Sequence, residues 1–224
     1  MAESELSQAV PASGLAALPG WARQIAGALP NIVSTDLSVL QPPPGAGPAR
    51  HAAVLMLFGP GADGRGGVLL TRRASKMRSH AGQVAFPGGS VDPGDPCPAA
   101  AAIREANEET GLDPAGVDLM AVLPPVYLPP SHFDVTPVVA WWREPGPVWP
   151  AAPAEVDSVV VASVPGMLAP ANRFSTALSR GRRGPGFEVD GLFVWGFTAG
   201  LLSKLFALSG LEKPWDRSVV RPIP

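Results

Sequence analysis

The stretch from Gly88 to Leu112 constrains this chain more than any other. It opens as a glycine turn, Gly88-Gly89-Ser90-Val91-Asp92-Pro93-Gly94-Asp95, and continues into a predicted helix ending Arg104-Glu105-Ala106-Asn107-Glu108-Glu109-Thr110-Gly111-Leu112. At about 100° per residue, Glu109 lies ~40° from Glu105 around the helix axis and Glu108 lies ~60° to the other side, so the spacing predicts one narrow acidic face. Like charges at that spacing cost a bare helix roughly 0.2–0.5 kcal/mol a pair. A cation would offset the repulsion. Hard oxygen ligands on a rigid element beside a glycine turn suit Mg²⁺ or Mn²⁺ and a phosphate substrate. The competing reading is a solvated acidic face.

Around this stretch the chain reads as alternating strands and helices. Residues 1–18 are small and polar and read as an arm. A short helix is expected from Trp21 to Leu29, with Trp21, Ile25 and Leu29 at helical spacing. Residues 41–50 are a Pro-rich linker. The apolar run Ala52 to Phe58 is a buried strand, Gly59 to Gly67 a turn and Val68 to Arg72 the returning strand of a hairpin. Gln83 to Phe86 is a short strand leading into Pro87-Gly88-Gly89. Asp95 with Pro96 fits a helix N-cap, and Ala99, Ala102, Ile103 and Ala106 give that helix an apolar face. Gly111 fits its C-terminal stop. Strands are expected over Val117 to Leu123, Phe133 to Trp142 (Pro137 at an edge or bulge) and Val156 to Val164. Residues 170–191 read as a Gly/Arg-rich loop, Phe197 to Ser209 as a closing helix and the segment after Pro214 as irregular. The expected domains are residues 1–50, an arm with a short helix and linker; 51–210, the main α/β (α+β) layered domain; and 211–224, a tail.

Composition bears on partners. A net charge of −2 is no footprint for nucleic acid. No run of about 18 apolar residues exists to span a bilayer, and no secretory signal is evident. A single cysteine, Cys97, excludes a disulfide framework and a Cys-based zinc site. These features fit a cytoplasmic protein with a small-molecule substrate. A homodimer is compatible with the sequence, which does not fix an oligomeric state.

The residues Arg104-Glu105-Ala106-x-Glu108-Glu109-x-Gly111-Leu112 match the second half of the Nudix signature, G-x5-E-x7-R-E-U-x-E-E-x-G-U with U apolar. In the first half Asp95 stands where the signature has Glu, and the gap to Arg104 is eight residues, not seven. That departure resembles the coenzyme A pyrophosphatase branch. The branch also carries L-L-T-x-R-S-x3-R-x3-G-x3-F-P-G-G, and this chain reads Leu69-Leu70-Thr71-Arg72-Arg73-Ala74, then Arg78, Gly82 and Phe86-Pro87-Gly88-Gly89. Segments at Phe133 to Val139, Glu155-Val156 and Phe193 to Ala199 are also similar to the branch. The resemblance spans roughly residues 50–210.

The resemblance implies a Nudix α/β/α sandwich with a mixed sheet. It implies metal-dependent hydrolysis of the diphosphate of coenzyme A and its derivatives to 3′,5′-ADP and 4′-phosphopantetheine or its acyl form. Mg²⁺ or Mn²⁺ would be held by Glu105, Glu108 and Glu109, with the carbonyl of Gly89 or Gly88 completing the shell. Glu105 or Glu155 would act as general base, and Arg104 would orient the carboxylates. Asp95 is either the partner of Arg104 or simply the helix cap. Arg73 and Arg78 would contact substrate phosphates, and Gly88 and Gly89 would let the backbone approach phosphate or metal. His80 and Cys97 read as incidental, and Trp141, Trp142 and Trp195 as core or interface residues. Two other functions are consistent with the same motifs: hydrolysis of another nucleoside diphosphate derivative such as ADP-ribose, and non-catalytic nucleotide sensing.

Overall fold

A computed structural model describes residues 17–38, 43, 49–61, 63–77, 81–129, 131–177 and 181–224. Helix α1 is Gly20–Ala28 and the short α2 is Ser34–Leu37. Strands β1 (Arg50–Gly59), β2 (Gly67–Arg73), β3 (Val84–Ala85) and β4 (Gly88–Ser90) precede helix α3 (Pro98–Thr110). Then come β5 (Val117–Val122), β6 (Val126–Leu128), β7 (Phe133–Trp142), β8 (Val156–Ser163) and the short α4 (Val164–Leu168). The chain finishes with β9 (Arg173–Ala177), β10 (Arg183–Val189), β11 (Leu192–Val194), helix α5 (Gly196–Leu208) and β12 (Val220–Arg221).

Two sheets result. The larger is mixed, with path β3-β2-β1-β7-β5; β4 adds to β1, β6 to β7 and β8 to β2. Its one parallel pairing is β1 with β7, in register from Arg50↔Phe133 to Phe58↔Trp141. The expected β1–β2 hairpin forms, but only Phe58↔Val68 and Gly59↔Gly67 pair across it. Below that point the two strands diverge, and β4 takes the freed edge of β1 at Ala52↔Ser90, Ala53↔Gly89 and Val54↔Gly88. The glycine turn is therefore built into the sheet as a strand. The far edge of β7 is shared in the same manner. It pairs with β5 as far as Val122↔Val138 and with β6 from Val126↔Val135. Pro137 occupies neither the edge nor the bulge expected of it: the irregularity of the β5–β7 pair falls between Leu119 and Ala121, and Pro137 lies between the two partners of an interior strand, where the absent N–H interrupts least.

The apolar alternation of β1 divides the core into two layers. Ala53, Leu55 and Leu57 face α3, packing with Ala99, Ala102, Ala106, Val138, Ala140 and Trp142. Met56 and Phe58 face the opposite way, toward α1 and α5, with Ile25, Leu202, Leu205 and Phe206. This is an α/β/α sandwich with a mixed sheet, as the sequence predicts. Leu18, Ala22, Ile25, Leu29, Ile32 and Leu37 lie in that second layer, so the segment 17–38 packs one face onto the core.

The segment 170–191, read as a loop, instead carries β9 and β10. They form a second sheet of order β11-β10-β9-β12. Glycine and arginine density hid the strands, because β10 runs Arg183-Gly184-Pro185-Gly186 before its apolar end. Gly186 is where the ring of Phe174 crosses; a Cβ there would come within 2.4 Å of it. The segment after Pro214 also contributes, through β12 parallel to β9. It is fastened by Arg173, whose side chain is fully buried. Arg173 donates to Glu212 at 2.8 Å and to Ser203 Oγ at 2.7 Å, and its guanidinium packs over Phe187 and Trp215. Removing one partner of such a buried pair leaves a charge without compensation. Glu212→Gln is therefore expected to lower unfolding stability by roughly 3 kcal/mol, read as a fall in the denaturant midpoint at unchanged slope.

Candidate active site

The start of α3 differs from the expected one. The N-cap is Cys97, with Pro98 at the first helical position, and Cys97 makes no side-chain cap bond. Asp95 is not a cap. It accepts from the backbone N–H of Asp92 at 2.9 Å and from Arg104 through both oxygens, Nε at 3.0 Å and Nη2 at 2.9 Å. The alternative left open by the sequence is thereby resolved in favour of a direct Arg104 bond. Asp92 returns a carbonyl to the Asp95 N–H at 2.9 Å, closing the Asp92-Pro93-Gly94-Asp95 turn that brings the shorter carboxylate into reach. Arg104 also donates to Glu105 at 3.0 Å, to Glu108 at 3.2 Å and to the Ser90 carbonyl at 3.2 Å, with Asp92 at 3.7 Å. The guanidinium holds the Asp95 carboxyl below the usual carboxylate range, helped by the Asp92 N–H. The same bonds push the pKa of Arg104 further up.

The three glutamates do not share one environment. Glu108 is exposed at 56% of its side chain, Glu105 at 18%, and Glu109 is buried at 5% of the whole residue. Burial raises the Glu105 pKa, opposed by the bond and charge of Arg104. Glu109 is pushed up to about 7, chiefly by burial, while the Gly88 N–H bond and the charge of Arg73 pull it down and Glu105 and Glu155 repel it. The Gly88 N–H donates to Glu109 at 3.2 Å. Glu105 lies directly under Gly89, where a Cβ would fall 2.5 Å from its carboxyl group. At Gly88 a Cβ would meet the Ala53 carbonyl at 2.3 Å. The two glycines are thus required for different reasons: Gly88 for strand contact with β1, Gly89 for room above a carboxylate.

Arg73, at the end of β2, contributes its charge to Glu109, and its Nε is buried without a hydrogen-bond partner. Glu155 precedes β8, with an exposed side chain; its carbonyl accepts from Ala74 at 2.8 Å, next to Arg73. Arg78 and His80 lie outside the described residues. The helix ends on Gly111 in the left-handed conformation (φ 67°), as expected. Sequence reasoning missed what closes this end. The segment after β7 crosses it, with Trp149 N–H donating to Thr110 and Ala151 N–H to Glu109, both at 3.0 Å. No local sequence signal marks that contact. Asp92 was also missed, although the Pro93-Gly94 turn beside it is a readable signal.

Among the described residues, no group of three or more His, Cys, Asp or Glu side chains stands ready to hold an ion; Arg104 takes up Glu105 and Glu108. The donor chemistry nevertheless fits a hard divalent cation. Glu105 and Glu109 are both removed from water and repel each other beside the Gly88-Gly89 backbone, and oxygen ligands of this kind select Mg²⁺ or Mn²⁺ over softer metals.

A family model described as the NUDIX domain matches residues 48–175, more than half of the chain. Two relatives, each described as an uncharacterized Nudix hydrolase NudL, are similar over most of their length. That of Cronobacter sakazakii is 46% identical over 156 residues, covering 66% of this chain and 77% of its own. That of Citrobacter koseri is 43% identical over 171 residues, covering 73% and 84%. Among solved structures, the Nudix hydrolase RenU of M. smegmatis covers 77% of this chain and 92% of its own, at 21% identity and a TM-score of 0.49. The chain belongs to the Nudix family and is a pyrophosphohydrolase acting on nucleoside diphosphate derivatives. Nudix hydrolases in general depend on a divalent metal.

Two outcomes test this geometry. Gly89→Ala is expected to displace a flexible carboxylate and cut activity at least tenfold with little change in melting temperature, whereas Gly88→Ala should lower the melting temperature itself. The second concerns pH. A carboxyl whose folded pKa is raised stabilises the fold below its unfolded pKa and loses that contribution as pH climbs through about 7. Metal-free Glu109→Gln should therefore gain stability relative to the native chain between pH 5 and pH 8, by up to about 3 kcal/mol, measured by parallel denaturant titrations.

Proposed function

We propose that this chain hydrolyses the diphosphate of coenzyme A and its derivatives, giving 3′,5′-ADP and 4′-phosphopantetheine or its acyl form. The observation that carries the reading is the meeting of two motifs at one carboxylate. Glu109, from the Nudix helix, is bonded by the Gly88 N–H and faces the charge of Arg73, both from the upstream coenzyme A-type motif.

In this reading Glu105, Glu108 and Glu109, with the Gly89 carbonyl, hold Mg²⁺ or Mn²⁺. A bound divalent cation supplies neutralisation of diphosphate charge and a more acidic water. Arg73, with an unused buried Nε, and Arg78 hold the phosphates in register. Gly88 and Gly89 admit the phosphate close to the backbone. Glu105 receives the proton of the attacking water. It is preferred to Glu155 as base because its carboxylate lies under Gly89 beside the other glutamates of the helix, whereas the Glu155 side chain is exposed. The water oxygen forms a new P–O bond as the bridging P–O bond breaks, leaving two phosphate monoesters. Arg104 does not touch the reacting atoms; it orients Glu105 and Glu108 while Asp95 holds its own guanidinium in place. The protein is expected to work in the cytoplasm on a small molecule, without nucleic acid or membrane; no described helix is long and apolar enough to cross a bilayer.

A panel of coenzyme A, ADP-ribose and diadenosine polyphosphate, assayed with Mg²⁺ and with Mn²⁺ and resolved by mass, tests the substrate. The expected result is the highest kcat/KM on coenzyme A; a preference for ADP-ribose would replace the proposal with the alternative nucleoside diphosphate activity, and ligand binding without turnover would point to a sensor. Glu105→Gln should lower kcat by at least a hundredfold in a folded protein, while Glu155→Gln should retain a larger share.

A further inference from the structure

A cavity of about 470 Å³ opens on the far side of the molecule from the glutamate helix, between the last turns of α5 and the second sheet. Its walls come only from residues between Ser175 and Arg217, with none from α3, from the Gly88-Gly89 turn or from Arg73. Its volume lies in the range of small-molecule sites, ~300–1,000 Å³.

The charge of this cavity is opposite to that of the chain. Arg183, Lys204 and Arg217 line it, together with a single carboxylate, Glu212. That carboxylate is already committed. One of its oxygens takes Arg173 at 2.8 Å and the Trp215 indole N–H at 3.0 Å, and the other lies 4.0 Å from Arg217. Lys204 donates to the main-chain carbonyl of Asp36, a neutral acceptor. Arg183 has no ion-pair partner among the described residues. The buried Arg173 spends its own charge on Glu212, and its Nε is left without a partner. Arg183 and Lys204 therefore face the cavity with no carboxylate partner among the described residues, and Arg217 shares Glu212 with Arg173, on a protein whose net charge is −2. Concave walls of one sign concentrate counter-ions, and arginine forks match phosphate oxygens in shape as well as charge. Ser203 Oγ, already accepting from Arg173, adds a hydroxyl, and the Trp215 ring, with the guanidiniums of Arg173 and Arg217 over it, holds Arg217 at the wall.

We propose that this cavity is a second ligand site, distinct from the catalytic carboxylates, that binds a phosphate-bearing small molecule of nucleotide size. Arg183, Lys204 and Arg217 take the phosphate, and Arg173 with Glu212 holds the floor rigid. The site does not depend on which diphosphate the enzyme hydrolyses.

The test is calorimetric titration of the full chain in EDTA, so that no metal recruits phosphate to the glutamates. Adenosine 5′-monophosphate is expected to bind one site, inorganic phosphate to compete with it, and adenosine to bind at least tenfold more weakly. Arg183→Gln combined with Arg217→Gln, both at exposed positions, should weaken adenosine monophosphate at least tenfold at unchanged melting temperature. Lys204→Gln should do so independently, and Glu105→Gln should leave binding as it is. The proposal is overturned if the native chain does not bind adenosine monophosphate, or if the cavity variants bind it as well as the native chain does. It is equally overturned if binding disappears with Glu105→Gln, if phosphate fails to compete, or if adenosine binds as tightly as its monophosphate.

Discussion

The guanidinium of Arg104 is engaged on every side. Its fork takes both oxygens of Asp95, and its remaining N–H groups reach Glu105, Glu108 and the Ser90 carbonyl. These partners belong to three pieces of chain: the end of β4, the Asp92–Asp95 turn and the second half of α3. One planar cation thereby fixes the distance between the glycine strand and the glutamate helix. Bidentate charge-assisted bonds are directional, so the arrangement specifies orientation as well as proximity. Strand pairing of Gly89 with Ala53 and the packing of α3 on β1 bring Gly89 over Glu105, and Arg104 orients the Glu105 carboxylate there, where a Cβ on Gly89 would come within 2.5 Å of it.

Acidic groups on this helix are graded by depth, not merely clustered. Glu109 reaches the inner end of the site, where burial and the Gly88 N–H set its behaviour. Glu105 sits at intermediate depth under Gly89, and Glu108 remains in solvent, paired with Arg104 at helical spacing. The bland reading of Glu108, a solvated ion pair on a helix face, and its functional reading are thus both compatible with one position. The grading follows from how α3 lies on β1 and β4, with Ala99, Ala102 and Ala106 set against Ala53 and Leu55. Small side chains let the helix approach the sheet closely, and closeness is what buries Glu109.

The second sheet and α5 do more than extend the domain. Arg72 donates to the Gly191 carbonyl at 2.9 Å, and Thr198 to the Val84 carbonyl at 3.1 Å, so β2 and β3 are braced from the side opposite α3. Asp190, itself at φ 50°, takes the Ser163 N–H at the end of β8. The strand that carries Arg73 and the strand that leads to Gly88 are therefore held from both layers of the sandwich. The Arg173–Glu212 pair in turn fastens the chain's last segment to this sheet, which connects the C-terminal strand to the framework around the site.

Much of this was legible in the chain. Apolar runs gave β1, β7 and β8 nearly to the residue, because buried strands of a mixed sheet are continuous in hydrophobicity. The Arg104 to Leu112 pattern marked the candidate site, since helical spacing alone puts Glu105 and Glu109 side by side. The Gly/Arg-rich run concealed β9 and β10, because those strands owe their existence to pairing and to the Phe174 ring, not to their own propensity. By itself the sequence determined which residues carry charge and at what helical phase. Only the tertiary structure decided that Asp95 braces Arg104 and does not cap α3, that Glu109 is buried while Glu108 is not, and that Gly88 and Gly89 have separate duties. Each of those outcomes depends on a neighbour distant in sequence and on exclusion of water, which no local pattern encodes.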